Sequence, residues 1–287
     1  MREIPGATRR LVWASTALTA IWCLIAVATY RPGHESTLVN RYGQSVEIFG
    51  AGLYARESVL RAGIFTGVDA VNLLACPLVL LALRRADRRA WRLVLIALLA
   101  GSTYYTLSLA AGSTYYYGAL LQYAMLGTTT FAFVGVLLAT DRDDLAAHNS
   151  WQLPWRALTV FLALGGVALV VAWLPDIVAS WGNHATLSMA EVYSTEITYA
   201  LDMGIVGPMI LVTAVELRRR TGLGLVLGAS VLVVCVAVAV QSIGGAVLLW
   251  PVYRELGVAQ VVTKIVVFIV LGVVGGWLLA RLLRAQR

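Results

Sequence analysis

The stretch Glu255–Leu283, "ELGVAQVVTKIVVFIVLGVVGGWLLARLL", decides the class of this protein. Its apolar part, 257–280, has the length a helix needs to cross a bilayer, about 20 residues at about 1.5 Å each. Inside it stands Lys264, the one lysine among the 22 basic residues of the chain. An ammonium within hydrocarbon costs at least about 2–3 kcal/mol unless a partner or water meets it. The stretch therefore reads as a membrane span whose lysine must be answered by something in the rest of the chain.

Seven more windows of this kind precede it: 11–30, 61–84, 91–112, 116–139, 156–180, 193–215 and 223–250. The whole chain of 287 residues is 60% hydrophobic and 13% charged, where a soluble domain carries about 25% charged residues. Its mean hydropathy is +0.80. The expected fold is an all-α polytopic transmembrane bundle, a single domain of eight spans. The first window also resembles a signal peptide, but its apolar part exceeds the usual ~7–15 residues and holds Trp13 and Trp22. It is read as a retained span.

Charge then sets the expected orientation. Sixteen of the 21 arginines fall in five segments on one side of the spans: 1–10, 84–92, 140–156, 216–222 and 281–287. The other side holds only Arg31, Arg41, Arg56, Arg61 and Arg254. An arginine excess marks the cytoplasmic side, so both termini are expected in the cytoplasm of a bacterial cell, with the chain in its plasma membrane. The net charge of +7 belongs to this asymmetry, and no nucleic acid partner is expected. Cys23, Cys76 and Cys235 lie in apolar windows without CxxC spacing and read as packing residues. The three histidines lie in loops, so no cofactor or metal site is expected. One loop is long: 31–60, an expected extracytoplasmic cap.

Buried polar residues carry the functional signal. At the rise of a helix, Lys264 lies roughly 10 Å from the outer end of its span, Asp69 roughly 12 Å and Asp202 roughly 14 Å. Three ionisable groups from three spans thus share one layer. Each has polar company: Thr66, Asn72 and Cys76 with Asp69, Tyr199 and Glu196 with Asp202, and Gln260 one turn above Lys264. The fourth span adds Tyr123, and the third adds Ser102, Tyr105 and Ser108. Lys264 is expected to pair with Asp202, Asp69 or both at the floor of an outward-facing polar cavity, with Glu47, Arg56 and Glu57 at its rim. Two carboxylates against one ammonium leave a formal charge of −1, which favours a cation or a shared proton.

Several functions fit such a layer. Transport or binding of a small cationic or protonatable solute is expected first, with membrane lipids and that solute as partners. Pro208, after Gly204 and Gly207, would weaken the sixth helix just below Asp202 and permit gating. The alternative is a membrane-embedded enzyme acting on a lipid or polyprenyl substrate at the outer leaflet, for which no nucleophile motif speaks. A structural clasp in an accessory subunit, and a retinal-binding photoreceptor with Lys264 as Schiff base, are further alternatives.

The segments "VEIFGAGLYARESVLRAGIFTGVDAVNLL" and "EVYSTEITYALDMGIVGP" resemble a family of bacterial and archaeal multi-pass membrane proteins. The resemblance spans 46–215. It runs through Glu47, Ile48, Gly50, Gly52, Leu53 and Tyr54, then Gly67 and Asp69. It resumes with Thr195, Glu196, Thr198, Tyr199, Ala200, Leu201 and Asp202. Glu57 stands where the family pattern has Asp. The resemblance implies a multi-pass fold and a shared role for Glu47, Asp69, Glu196 and Asp202, and it implies no particular activity.

Overall fold

A computed structural model describes residues 2–29, 36–39, 42–49, 54–56, 59–112, 118–148, 153–182, 197–248 and 266–286. In 36, 38, 46–49, 54–56, 59–66 and 245–248 it describes the backbone alone. The helices are α1 (Gly6–Thr29), α2 (Val59–Arg84), α3 (Arg89–Gly112), α4 (Ala119–Leu138) and the short α5 (Arg142–Ala147). After these come α6 (Trp155–Gly182), α7 (Ile197–Leu201), α8 (Gly207–Arg218), α9 (Gly222–Leu248) and α10 (Val267–Arg284). A π-helical turn, Asp202–Val206, joins α7 to α8, so the three together make one span, Ile197–Arg218. Among the described residues, eight helical segments are long and apolar enough to cross a bilayer. The chain is an integral, multi-pass membrane protein with the expected all-α bundle.

The windows read from hydropathy match these helices to within a few residues. The first helix starts at Gly6 rather than at residue 11, because Thr8, Arg9 and Arg10 continue its turns beyond the apolar run. For the eighth span, 257–265 lie outside the described residues. Among the described residues, the bundle carries one β element, a three-stranded antiparallel sheet β1 (Ser36–Val39), β2 (Ser45–Phe49) and β3 (Tyr54–Arg56), in the order β1-β2-β3. Gly43, at φ +79°, supplies the left-handed residue before β2.

In lipid, apolar burial does not drive helices together, so close packing must. The most buried spans are α3 and α9, while α6 and α10 lie at the periphery. The α9–α10 seam shows how close the contact is: a Cβ at Gly272 would overlap Ala239, and one at Gly275 would sit 2.9 Å from the Cβ of Cys235. Outward-facing Leu74, Leu120, Phe131, Leu138 and Leu164 make the surface apolar, as lipid requires.

Both termini lie at one end of the bundle, which is also the arginine-rich end. There the buried guanidinium of Arg92 donates to the carbonyls of Ala86 (2.7 Å), Ala139 (3.2 Å) and Arg2 (2.8 Å). It ties the N-terminal segment, the α2–α3 turn and the end of α4 together. Gln286 donates to Leu145 O at 3.2 Å, bringing in the C-terminus. Asp141 caps α5 through the Asp144 amide, and Arg89 grips the Asp144 carboxylate at 2.8 and 3.0 Å. That guanidinium holds the Asp144 carboxyl below its usual pKa. Asp141 and Asp144 thus both serve the packing of this end. The main apolar core, with Leu93, Ile96, Leu158, Leu217, Leu225 and Leu282, fills this half of the bundle. A smaller cluster around Trp22, Cys23, Tyr105 and Met125 lies in the other half.

Candidate functional site

The polar groups of the membrane interior gather around α3. Its residues Tyr104 and Tyr105 are neighbours, so their side chains leave the helix about 100° apart. The Tyr105 hydroxyl donates to Asp69 Oδ1 on α2 in a very short hydrogen bond. The Tyr104 hydroxyl donates to Asp202 Oδ1 in the sixth span at 2.8 Å. Adjacent residues of one helix therefore each hold a carboxylate, one from α2 and one from the sixth span. Asp69 is 0% and Asp202 8% exposed, so each depends on such donors, because a buried carboxylate without them is costly.

Asp202 has a second donor. Trp173 Nε1, on α6, reaches Oδ2 at 3.2 Å. The same indole stacks on Tyr199, with centroids 4.4 Å apart and planes at 25°. The Tyr199 hydroxyl in turn donates to Asp176 Oδ2 at 2.7 Å. On the other flank, Tyr105 OH meets Cys23 Sγ of α1 at 3.4 Å. Asn72, one turn below Asp69, donates through Nδ2 to Val68 O at 2.9 Å. One connected set thus runs from Asp176 through Tyr199, Trp173, Asp202 and the two tyrosines to Asp69 and Cys23.

The backbone at Asp202 is irregular. Pro208 has no N–H, so the carbonyl of Gly204 loses its usual i+4 donor. The chain widens by one residue, and the Gly207 amide bonds to Asp202 O, five residues back, in place of the α-helical partner. Such π turns concentrate at functional sites. At the far end of α3, a Cβ on Gly112 would overlap Ile197, so glycine lets the start of α7 come close to α3.

Of the sequence-expected site residues, the structure brings Asp69, Asp202 and Tyr199 into this set, while Asn72 turns its amide back to Val68 O on its own helix. Tyr123 does not join it: at 47% exposed it faces outward, and α4 turns the neighbouring Gln122 (3%) inward instead. Lys264, Gln260, Glu196 and Glu57 lie outside the described residues. Glu47 and Arg56 stand directly opposite each other in the β2–β3 register. Sequence reasoning does not single out Tyr104, Trp173 or Asp176. Tyr104 sits off the Ser102–Tyr105–Ser108 stripe, and Trp173 resembles an interfacial tryptophan. Asp176, following Pro175 inside a hydrophobic window, is the signal that could have found that flank.

The set is rich in acceptors held by hydroxyl and indole donors. Among the described residues, no three His, Cys, Asp or Glu side chains converge as a metal-ligand group. Two buried carboxylates held by one helix can bind a cationic group, or take up and release a proton. No protein-family model, curated protein or solved structure matches the chain.

Proposed function

We propose that this membrane protein binds and carries a small cationic or protonatable solute, with Asp69 and Asp202 as its acidic contacts. The observation that supports this best is the pair of adjacent tyrosines on α3, each of which holds a buried carboxylate from a different span. A clasp that only fixed helix register would need one such pair. Here two carboxylates from separate spans are each presented by an α3 hydroxyl, and one of them sits on a π turn. That turn, backed by Pro208, gives the sixth span a place to flex as the solute enters or leaves. In this reading Lys264 is the basic partner of the two carboxylates and is displaced or neutralised by the incoming cation.

The test is flux and binding in proteoliposomes, with ammonium and small alkylamines as probes and a pH gradient as the driving force. Asp202→Asn and Asp69→Asn are each expected to lower uptake by roughly tenfold or more, the scale of one lost charged contact. Uptake in both variants equal to that of the unaltered protein sinks the proposal.

A further inference from the structure

The arginine-rich end holds a cavity that the aspartate set does not use. It has a volume of about 780 Å³ and is lined by Arg85, Asp87, Arg88, Arg89, Trp91 and Gln286. The α2–α3 turn, the first turn of α3 and the C-terminal segment supply these residues. Small-molecule sites have volumes of about 300–1,000 Å³, so there is room for a lipid headgroup.

The wall suits an anion. Arg89 already grips Asp144, but among the described residues neither Arg85 nor Arg88 has an ion-pair partner. Against the Asp87 carboxylate they leave an excess of positive charge. The Arg85 guanidinium lies over the Trp91 ring, 5.1 Å from its centroid, which restrains it at the cavity. The helix α3 begins here, so its first amides have no intrahelical acceptors. Arg88, the residue before it, has no side-chain oxygen to cap them. Free amides and the helix dipole together favour a phosphate.

Gln286 adds a second demand. It is 3% exposed, and its Nε2 is spent on Leu145 O at 3.2 Å. Its Oε1 is buried and meets no hydrogen-bond partner. A buried acceptor without a donor is costly, so the ligand that completes this wall brings a donor as well as an anion. The place narrows the choice. The turn joins two spans and carries the half-buried Trp91, so it stands at the level of the lipid headgroups. An ethanolamine headgroup would bring a further cation to a wall already in excess of them. A glycerol headgroup brings hydroxyl donors and leaves the lipid its negative charge.

We propose that this cavity binds the headgroup of an anionic phospholipid of the phosphatidylglycerol type, in the leaflet at the arginine-rich end. Arg85, Arg88 and the first amides of α3 hold the phosphodiester, and a glycerol hydroxyl donates to Gln286. The site is separate from Asp69 and Asp202 and does not depend on the transport reading.

The test is native mass spectrometry of the full chain from phosphatidylcholine nanodiscs doped with one further lipid at a time. Phosphatidylglycerol should bind roughly tenfold more tightly than phosphatidylethanolamine, the scale of one charged contact. Phosphatidylmethanol has the same charge and no headgroup hydroxyl, and should bind about fivefold more weakly than phosphatidylglycerol, the scale of one neutral hydrogen bond. Gln286→Leu should erase that second difference and keep the first. If Gln286→Leu does not fold, the unaltered chain decides the point, because equal binding of the two anionic lipids overturns the glycerol assignment. Arg88→Gln, in an exposed turn, should lower phosphatidylglycerol affinity roughly tenfold. Arg218→Gln, exposed at the same end but outside the cavity, should leave it unchanged. Equal losses in these two variants, or no preference over phosphatidylethanolamine, would reduce the binding to general surface attraction and overturn the site. Displacement of the lipid by millimolar inorganic phosphate would make it a site for a free anion and overturn the lipid assignment.

Discussion

Trp173 shows what a single residue does in this site. Its ring stacks on Tyr199 while its Nε1 donates to Asp202, so it couples packing to polar satisfaction in one side chain. The two contributions can be separated. Trp173→Phe keeps an aromatic face on Tyr199 and removes the donor, and should cost about 1–2 kcal/mol of stability. Trp173→Leu removes both and should cost about 1 kcal/mol more, the range of an aromatic pair. Unfolding of the purified protein in mixed micelles, followed by far-ultraviolet circular dichroism, measures both. Equal losses in the two variants would mean that the hydrogen bond contributes nothing. The sequence made Asp202 visible because a carboxylate in an apolar run is costly and so conspicuous. Trp173 was invisible because tryptophan is ordinary near span ends, and only the fold reveals which one turns inward.

At the scale of elements, hydropathy located the helices because lipid imposes a length on any span, and it located their charge pattern for the same reason. It could not resolve the π turn. Pro208 and two glycines marked a weak point in the sixth helix, but whether the chain kinks, breaks or widens depends on what the neighbours allow. Seams between helices were partly legible, since the glycines of "LGVVGGWL" suggested close approach, and the structure names the partner. Gly272 lies against Ala239 so closely that a methyl group on it must displace α10 or α9. Gly272→Ala should therefore destabilise the protein by about 1–3 kcal/mol, the usual range for overpacking. Ala239→Gly placed in the same chain should return part of that loss, because it reopens the space. A double-mutant cycle on unfolding in micelles checks it, and strict additivity of the two changes would show that the seam is not where the strain falls.

At the scale of the molecule, the arginines and the aspartate pair mark opposite ends. The N-terminal segment, the α2–α3 turn, α5 and the C-terminus meet at the arginine-rich end, where Arg92 and Arg89 also bind carbonyl and carboxylate groups of neighbouring elements. The 36–56 sheet joins α1 to α2 at the other end, nearer Asp69. If the arginine excess governs insertion, the sheet faces the outside and the aspartate pair is reached from there. The three native cysteines leave this open to direct measurement. Cys23 and Cys76 are buried, and Cys235 lies inside α9, so a membrane-impermeant maleimide should spare all three. Thr37→Cys, on the exposed face of β1, should then label on intact cells. Arg88→Cys, exposed in the α2–α3 turn, should label only after the membrane is permeabilised. The reverse pattern would invert the protein, place the aspartate pair nearer the cytoplasm, and turn the proposed uptake into export from the same site.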